Sequence, residues 1–253
     1  MRARSLLVAL LTIVTLTVAP AVPAQAASTC TAFGTIDMGK YWLNNNLWGQ
    51  SSGSGWQCIF NNWQSGDTIG WGTNWSWSGQ SNSVKSYDSS VLGWHWGWRR
   101  TGTELPVRLN AGRDIFTSWS YGLSGVTGTM NVAYDLWLHD IANPDWQNNP
   151  TDEVMIWTHR QGGAGPVGTP QATVNIAGTS WTLYRGNIGW NVFSFVRNSN
   201  TTSVTLHLQD FLNNLIGRGW VPNTKYLSSI QAGTEVFIGN GQLNTNSYIA
   251  DIR

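Results

Sequence analysis

Hydrophobic side chains along this chain mostly alternate with polar ones, a period of two that predicts β-strands. The alternation is cleanest at Thr151–Trp157 and Gly233–Gly239, where Val154 and Ile156, then Val236 and Ile238, mark one face. Val132–His139 repeats it, with Val132, Tyr134, Leu136 and Leu138 on one side and Asp135, Trp137 and His139 on the other. Phe116–Ser120, Ala172–Ile176, Ser180–Arg185 and Asn191–Val196 read as further strands between Gly-rich turns. One segment departs from this pattern. Leu208, Phe211, Leu212 and Leu215 follow helical spacing, so one amphipathic helix is expected on the back of the sheets, ended by Gly217 and Gly219. Asp140–Pro150 and Gly162–Pro170 are loops. Many short strands with a single helix make the fold all-β, a sandwich of the jelly-roll kind.

Side chains alternate across a strand, so each face can be read separately. Glu153, Met155 and Trp157 share the face opposite Val154 and Ile156; Glu235 and Phe237 share the face opposite Val236 and Ile238. The chain has only three glutamates, Glu104, Glu153 and Glu235, and two of them stand on such aromatic faces. A carboxylate among Met, Trp and Phe is poorly solvated and shifts its pKa, whereas a solvated sheet face carries glutamate at no cost; the pattern admits both. Trp71, Trp75 and Trp77 share one parity and Trp94, Trp96 and Trp98 another, without revealing which face is core and which is cleft. Asn44–Gly49 and Trp56–Phe60, joined by the Ser/Gly stretch 51–55, predict a hairpin.

The first residues change the picture of where this fold works. Arg2 and Arg4, an apolar run from Leu6 to Val18 and the small-x-small site Ala24-Gln25-Ala26 describe a secretory signal peptide over 1–26. The mature part, 27–253, is expected to be one domain, extracellular, monomeric and free of the membrane once the signal is removed. Export also predicts a disulfide between the only two cysteines, Cys30 and Cys58, tying the arms of the hairpin; their spacing matches no metal or redox pattern.

Net charge is +1 and charged residues are 11 %, which leaves no electrostatic footprint for nucleic acid or an anionic membrane. The excess is 17 Trp with 28 Gly and many Asn, Ser and Thr. Flat rings among neutral hydrogen-bonding groups suit a neutral, hydroxyl-rich ligand, carbohydrate above all; a Trp-rich core accounts for part of the excess. Two glutamates on one aromatic face suit glycoside hydrolysis, in which one carboxyl protonates the leaving oxygen and the other attacks or activates water. The four histidines show no metal-ligand spacing, no phosphate loop, dinucleotide fingerprint or serine elbow occurs, and no cofactor is implied.

Several segments, in order, resemble glycoside hydrolase family 12, the small β-jelly-roll endoglucanases. They are Asn45-Asn46-Leu47-Trp48-Gly49, Val84-Lys85-Ser86-Tyr87, Tyr134-Asp135-Leu136, Glu153-Val154-Met155-Ile156-Trp157, Gly165-Pro166-Val167-Gly168, Val192-Phe193-Ser194-Phe195 and Gly233-Thr234-Glu235-Val236-Phe237. The resemblance covers the chain from Cys30 onward. It implies two stacked, curved antiparallel sheets, an open cleft and a retaining endo-β-1,4-glucanase acting on a β-glucan polysaccharide. By the same resemblance Glu153 would be the nucleophile, Glu235 the general acid/base and Asp135 the group that orients the nucleophile. Asn46, Trp48, Met155 and Trp157 would line the subsites, and Pro166 would border the cleft. Trp137 stands where the family often has Phe, and the loop 140–150 is a second departure, at one end of the cleft. Xyloglucan specificity, a related jelly-roll xylanase and a non-catalytic carbohydrate-binding module are the competing readings.

Overall fold

The computed structural model describes residues 26–96 and 98–253, so the expected signal sequence lies outside the described residues apart from Ala26. In chain order the strands are β1 (Ser28–Thr29), β2 (Thr35–Met38), β3 (Tyr41–Asn44), β4 (Gly53–Ser65), β5 (Thr68–Gly79), β6 (Ser86–His95), β7 (Trp98–Arg99) and β8 (Val107–Arg108). There follow β9 (Ile115–Ser124), β10 (Thr129–His139), β11 (Asp152–Gln161), β12 (Thr169–Ile176), β13 (Thr179–Asn187), β14 (Asn191–Arg197) and β15 (Ser203–His207). The helix α1 (Leu208–Gly217) and the long β16 (Tyr226–Ile252) complete the chain.

Two layers result. One runs β1-β4-β5-β16-β9-β15, the other β2-β3-β6-β16-β10-β11-β14-β13-β12. β16 belongs to both: residues up to Val236 pair with β6 and up to Ile238 with β10, while residues from Gly239 on pair with β5 and from Gln242 on with β9. Gly239 has φ +108, a conformation closed to most L side chains, and it stands at the point where the strand changes layer. Among the described residues every pairing is antiparallel except β11 with β14, which run parallel in register from Asp152↔Asn191 to Trp157↔Val196. That exception sets the turn before β14 beside the first residues of β11.

Between the layers lies a core of large rings. Trp71, Trp75, Trp77, Trp119, Trp181, Tyr41, Tyr134 and Tyr248 are buried there with Val132, Leu136, Leu138, Val154, Ile156 and Val236. The parity of Trp71, Trp75 and Trp77 therefore marks core. Each such ring contributes a few kcal/mol of burial, roughly 1.5–3 for a Phe-sized side chain. The helix forms where its spacing predicts, burying Leu208, Phe211, Leu212 and Leu215. It extends the β9–β15 layer, with Phe211 edge-on to Trp181 and Phe195 at 5.1 Å from each.

The predicted hairpin does not form. β3 pairs with β2 and β6 in one layer, and β4 pairs with β1 and β5 in the other, so the stretch 45–52 crosses between layers. Interior rings from both layers are better buried by this crossover than by a local hairpin with one exposed face. The Cys30–Cys58 disulfide is present, but it joins the end of β1 to β4, where Thr29 pairs with Ile59.

A polar cluster around Asp88 sits inside the sandwich. Thr73 donates to Asp88 (2.8 Å), Gln57 donates to Thr73 (3.0 Å), and Trp77 and Ser86 both donate to the Gln57 carbonyl oxygen. Burial pushes the Asp88 carboxyl up to about 8 against these hydrogen bonds, so it is protonated at neutral pH. Asp88 pairs with Thr234 across β6 and β16, one position from Glu235.

Candidate active site

β10 is the central strand of the site. On its outward face Asp135 lies between Met155 of β11 and Gln231 of β16, and Trp137 lies opposite Glu153. Glu153, two strands from Glu235, is thus carried on the same curved face, with Asp135 on the strand between them. The alternation read from the sequence holds on all three strands: Val154, Ile156 and Val236 are in the core, and the glutamates face away from it.

Glu153 is 8 % exposed, and its Oε2 accepts the indole N–H of Trp190 at 2.8 Å. Burial pushes its carboxyl up to about 7, against the lowering effect of that indole. Glu235 is also pushed up to about 7, first by burial and then by the charge on Glu153. Asn131 holds Glu235 at two points, donating from Nδ2 to Oε2 and accepting the Glu235 backbone N–H at 3.1 Å. Asp135, 4 % exposed, is raised well above the carboxylate range by burial and by the charges of Glu153 and Glu235. Its Oδ1 is buried with no hydrogen-bond partner. Three carboxyls sharing one poorly solvated face cannot all ionise near neutrality, and the face holds protons where open water would not.

Asn46 approaches His95 (Nδ2 to Nε2, 3.3 Å), and Gln231 donates to His95 Nδ1 at 2.9 Å. Burial holds His95 down to about 4, so the ring is neutral and carries one N–H. Ser89 donates to the Gln231 carbonyl oxygen, so Gln231 presents its amide nitrogen to His95 Nδ1. The Asn46 Oδ1 is buried without a hydrogen-bond partner. Trp48 is 57 % exposed and offers an open ring. Met155 and Trp157 are packed with Ala133, Ala164, Val196 and Phe237, and the Trp157 indole donates to Met155 Sδ at 3.4 Å. At 2 % exposure Trp157 forms the floor of this face and presents no free ring. Pro166 is half-buried on the loop after β11.

Several residues of the site were not singled out from the sequence. Trp190 is beside Glu153 only because β14 returns parallel to β11, a pairing no local pattern signals. Trp96, Trp137 and Trp190 form a cluster there, with ring centroids 4.8, 5.8 and 5.6 Å apart. Asn131 carries no signal either, sitting in an apolar-rich strand as an ordinary polar residue. The parity of Trp137 with Asp135 was readable and places it correctly.

Among the described residues no three His, Cys, Asp or Glu side chains gather in a way that could hold a metal ion. His139 instead bonds Ser228 (2.8 Å) and the Asn148 carbonyl (3.2 Å), and His207 pairs with Asp114 at the surface. No helix among the described residues is long and apolar enough to cross a membrane.

Known proteins carry the same chain plan. Residues 39–253 match the profile described as glycosyl hydrolase family 12. Endoglucanase S of Pectobacterium parmentieri is 38 % identical over 223 residues, 85 % of this chain and 82 % of that protein. A xyloglucan-specific endo-beta-1,4-glucanase A of Aspergillus aculeatus is 39 % identical over 228 residues, 88 % of this chain and 90 % of that protein. The solved family 12 xyloglucanase from Bacillus licheniformis in complex with ligand superposes with a TM-score of 0.83 at 40 % identity, covering 90 % of this chain and 100 % of that one. With two stacked layers, an outward face of paired glutamates and relatives of this similarity over most of its length, the chain belongs to glycosyl hydrolase family 12 and is a glycoside hydrolase.

Proposed function

We propose that this enzyme is a secreted, retaining endo-β-1,4-glucanase, exported by residues 1–26 and working as one catalytic domain. Glu153 is the nucleophile and Glu235 the general acid/base. The observation that carries the reading is the pairing of a buried and a half-buried carboxyl, both raised to about 7, in which the charge on Glu153 is a cause of proton retention on Glu235.

The steps follow from that order of ionisation. Glu153, ionised and fixed by the Trp190 N–H, attacks the anomeric carbon and forms a glycosyl ester, while the Glu235 proton goes to the departing glycosidic oxygen. Glu235, now a carboxylate steadied by Asn131, takes a proton from water, which displaces the sugar from Glu153 with a second inversion. Asp135 stays protonated through both steps, so it adds no third negative charge and its O–H positions the nucleophile. Trp48 stacks on a sugar ring and Asn46 lines the subsite beside it; Met155 and Trp157 shape the floor, and Pro166 borders the cleft.

The substrate is a β-1,4-glucan. Xyloglucan is the second reading for the preferred polymer, favoured by relatives described as xyloglucan-specific at 39 % identity and as a xyloglucanase at 40 %. Reducing-end release from mixed-linkage β-glucan, soluble cellulose derivative, xyloglucan and xylan, by wild type and by Glu153→Gln, tests both levels. Release from a β-glucan by wild type alone is the expected result. Release from xylan alone points to a xylanase, and binding without release by wild type points to a non-catalytic module.

A further inference from the structure

The face of the sandwich opposite the cleft has a composition of its own. On β4 the side chains of Trp56, Phe60 and Trp63 point outward, because Gln57 and Ile59 point into the core and a bulge after Asn61 restores Trp63 to the outer side. Trp56 is 49 % and Trp63 41 % exposed. Their cross-strand neighbours on β5 are Ser76, Gly72 and Gly70. The two glycines matter: a Cβ at Gly70 would collide with the Trp63 indole, and one at Gly72 with the Phe60 ring. Both rings therefore lie over backbone that has no side chain. From Trp56 to Trp63 the stripe runs ~20 Å along the strand at ~3.4 Å per residue.

Beyond the stripe the same face continues over β5, β16 and β9 with Asn74, Asn240, Gln242 and Asn244 in outward register, then serines. Charged groups lie at its margins, where Asp251, His207 and Arg253 surround Phe116 and the Lys40–Asp67 ion pair stands at the β4–β5 turn. Between those margins an acidic or basic partner finds no charged side chain in outward register. A neutral chain of sugar rings finds flat aromatic faces for its C–H surfaces and amides and hydroxyls for its hydroxyls.

We propose that the outer face built on Trp56, Phe60 and Trp63 is a second polysaccharide-binding platform that holds the enzyme against an insoluble neutral β-glucan, remote from the cleft that cleaves it. The assignment rests on the β-glucanase reading for the choice of polymer. The platform and the cleft lie on opposite layers, so a chain anchored to one does not block the other.

Partitioning onto amorphous cellulose and onto insoluble xyloglucan–cellulose composite, measured by depletion from solution, tests the platform. It is read in a Glu153→Gln background, so that the polymer is not consumed. Trp56→Ala/Trp63→Ala should partition about tenfold less, the combined loss of two stacked rings. Trp56→Ser, which has no glycine beneath its ring, should fold normally and lose part of the same binding, and Trp63→Phe should retain most of it. Turnover of a soluble cello-oligosaccharide by the corresponding active enzymes reports the cleft alone and should be unchanged. If Trp56→Ser and the double variant bind the insoluble polymer as tightly as the parent, with only a lowered melting temperature, the rings merely shield the sheet's glycines and the platform is wrong. The two readings fail separately: absent turnover by wild type overturns the cleft assignment, and unchanged partitioning overturns the platform.

Discussion

Asp152 and Glu153 are neighbours on one strand with opposite fates. Asp152 points into the sandwich, fully buried, where Lys225, Thr151 and Asn191 all donate to it. Glu153 points the other way and receives only an indole N–H. A buried carboxylate with a cation and two further donors is fixed structure: Lys225 stands one residue before β16, so the pair ties the start of β11 to the start of the strand bearing Glu235. A buried carboxyl with no cation has its proton affinity raised, which is what acid–base and nucleophilic chemistry near neutral pH requires. Alternation alone separates the two roles. On the assignment proposed for Glu153, one residue of register decides whether a carboxyl holds the fold or works on substrate.

The largest expected effect lies on the working side. Glu153→Gln or Glu235→Gln should lower turnover of a β-glucan by on the order of 10³-fold or more while polysaccharide binding persists, as read by initial rates and by binding isotherms. Asp152→Asn, with the same loss of charge one position away, should retain far more activity per folded molecule; equal losses at both positions would erase the contrast.

Next in size is the structural side. Lys225→Met leaves Asp152 buried without its cation and should cost about 3–5 kcal/mol in a denaturant titration. A change below about 1 kcal/mol would mean that Asp152 is held by its neutral donors alone.

A smaller effect has a sign that sharpens the comparison. Glu153 and Glu235 titrate near 7 in the folded protein and lower when unfolded, so between about 4.5 and 7 the native state binds more protons. Stability contributed by these groups is therefore greatest at acid pH and is lost as pH rises through 7. Glu153→Gln should gain about 1–3 kcal/mol over wild type at pH 8 and little at pH 4.5, visible as a pH-dependent difference in melting temperature. A gain independent of pH would locate the effect in packing.

The smallest is a change of one donor. Trp190→Phe removes the N–H that favours the Glu153 anion, so the acidic limb of the kcat/KM profile should move up by about one pH unit. An unmoved limb would make Trp190 a packing residue only.

How much of this was legible in the sequence depends on the range of the interaction. The faces of β10, β11 and β16, the helix at Leu208–Gly217 and the disulfide partners follow from local periodicity or simple counting, and all stand in the structure. The hairpin around Ser51–Gly55 does not, because a Ser/Gly turn fits a crossover between layers as well as a reversal within one. Trp190 and Asn131 reach the glutamates through pairings set by the whole topology, one of them parallel, and no local spacing encodes such a pairing. Trp157 shares the face of Glu153 as its parity requires, yet it is covered by Phe237 and Ala164 from elsewhere in the chain. Parity tells a side chain's direction and leaves open what meets it there.

The central claim is that Glu153, and not its neighbour or its partner, forms the bond to sugar. A β-glucoside oligosaccharide with fluorine at C2 and a good leaving group slows both steps and lets the glycosyl-enzyme accumulate, and peptide mass spectrometry locates it. The account predicts one glycosyl unit per enzyme, on the peptide containing Glu153 and on that side chain. A stoichiometric adduct on Glu235, or full turnover of ordinary substrate with inversion at the anomeric carbon and no adduct, would contradict it.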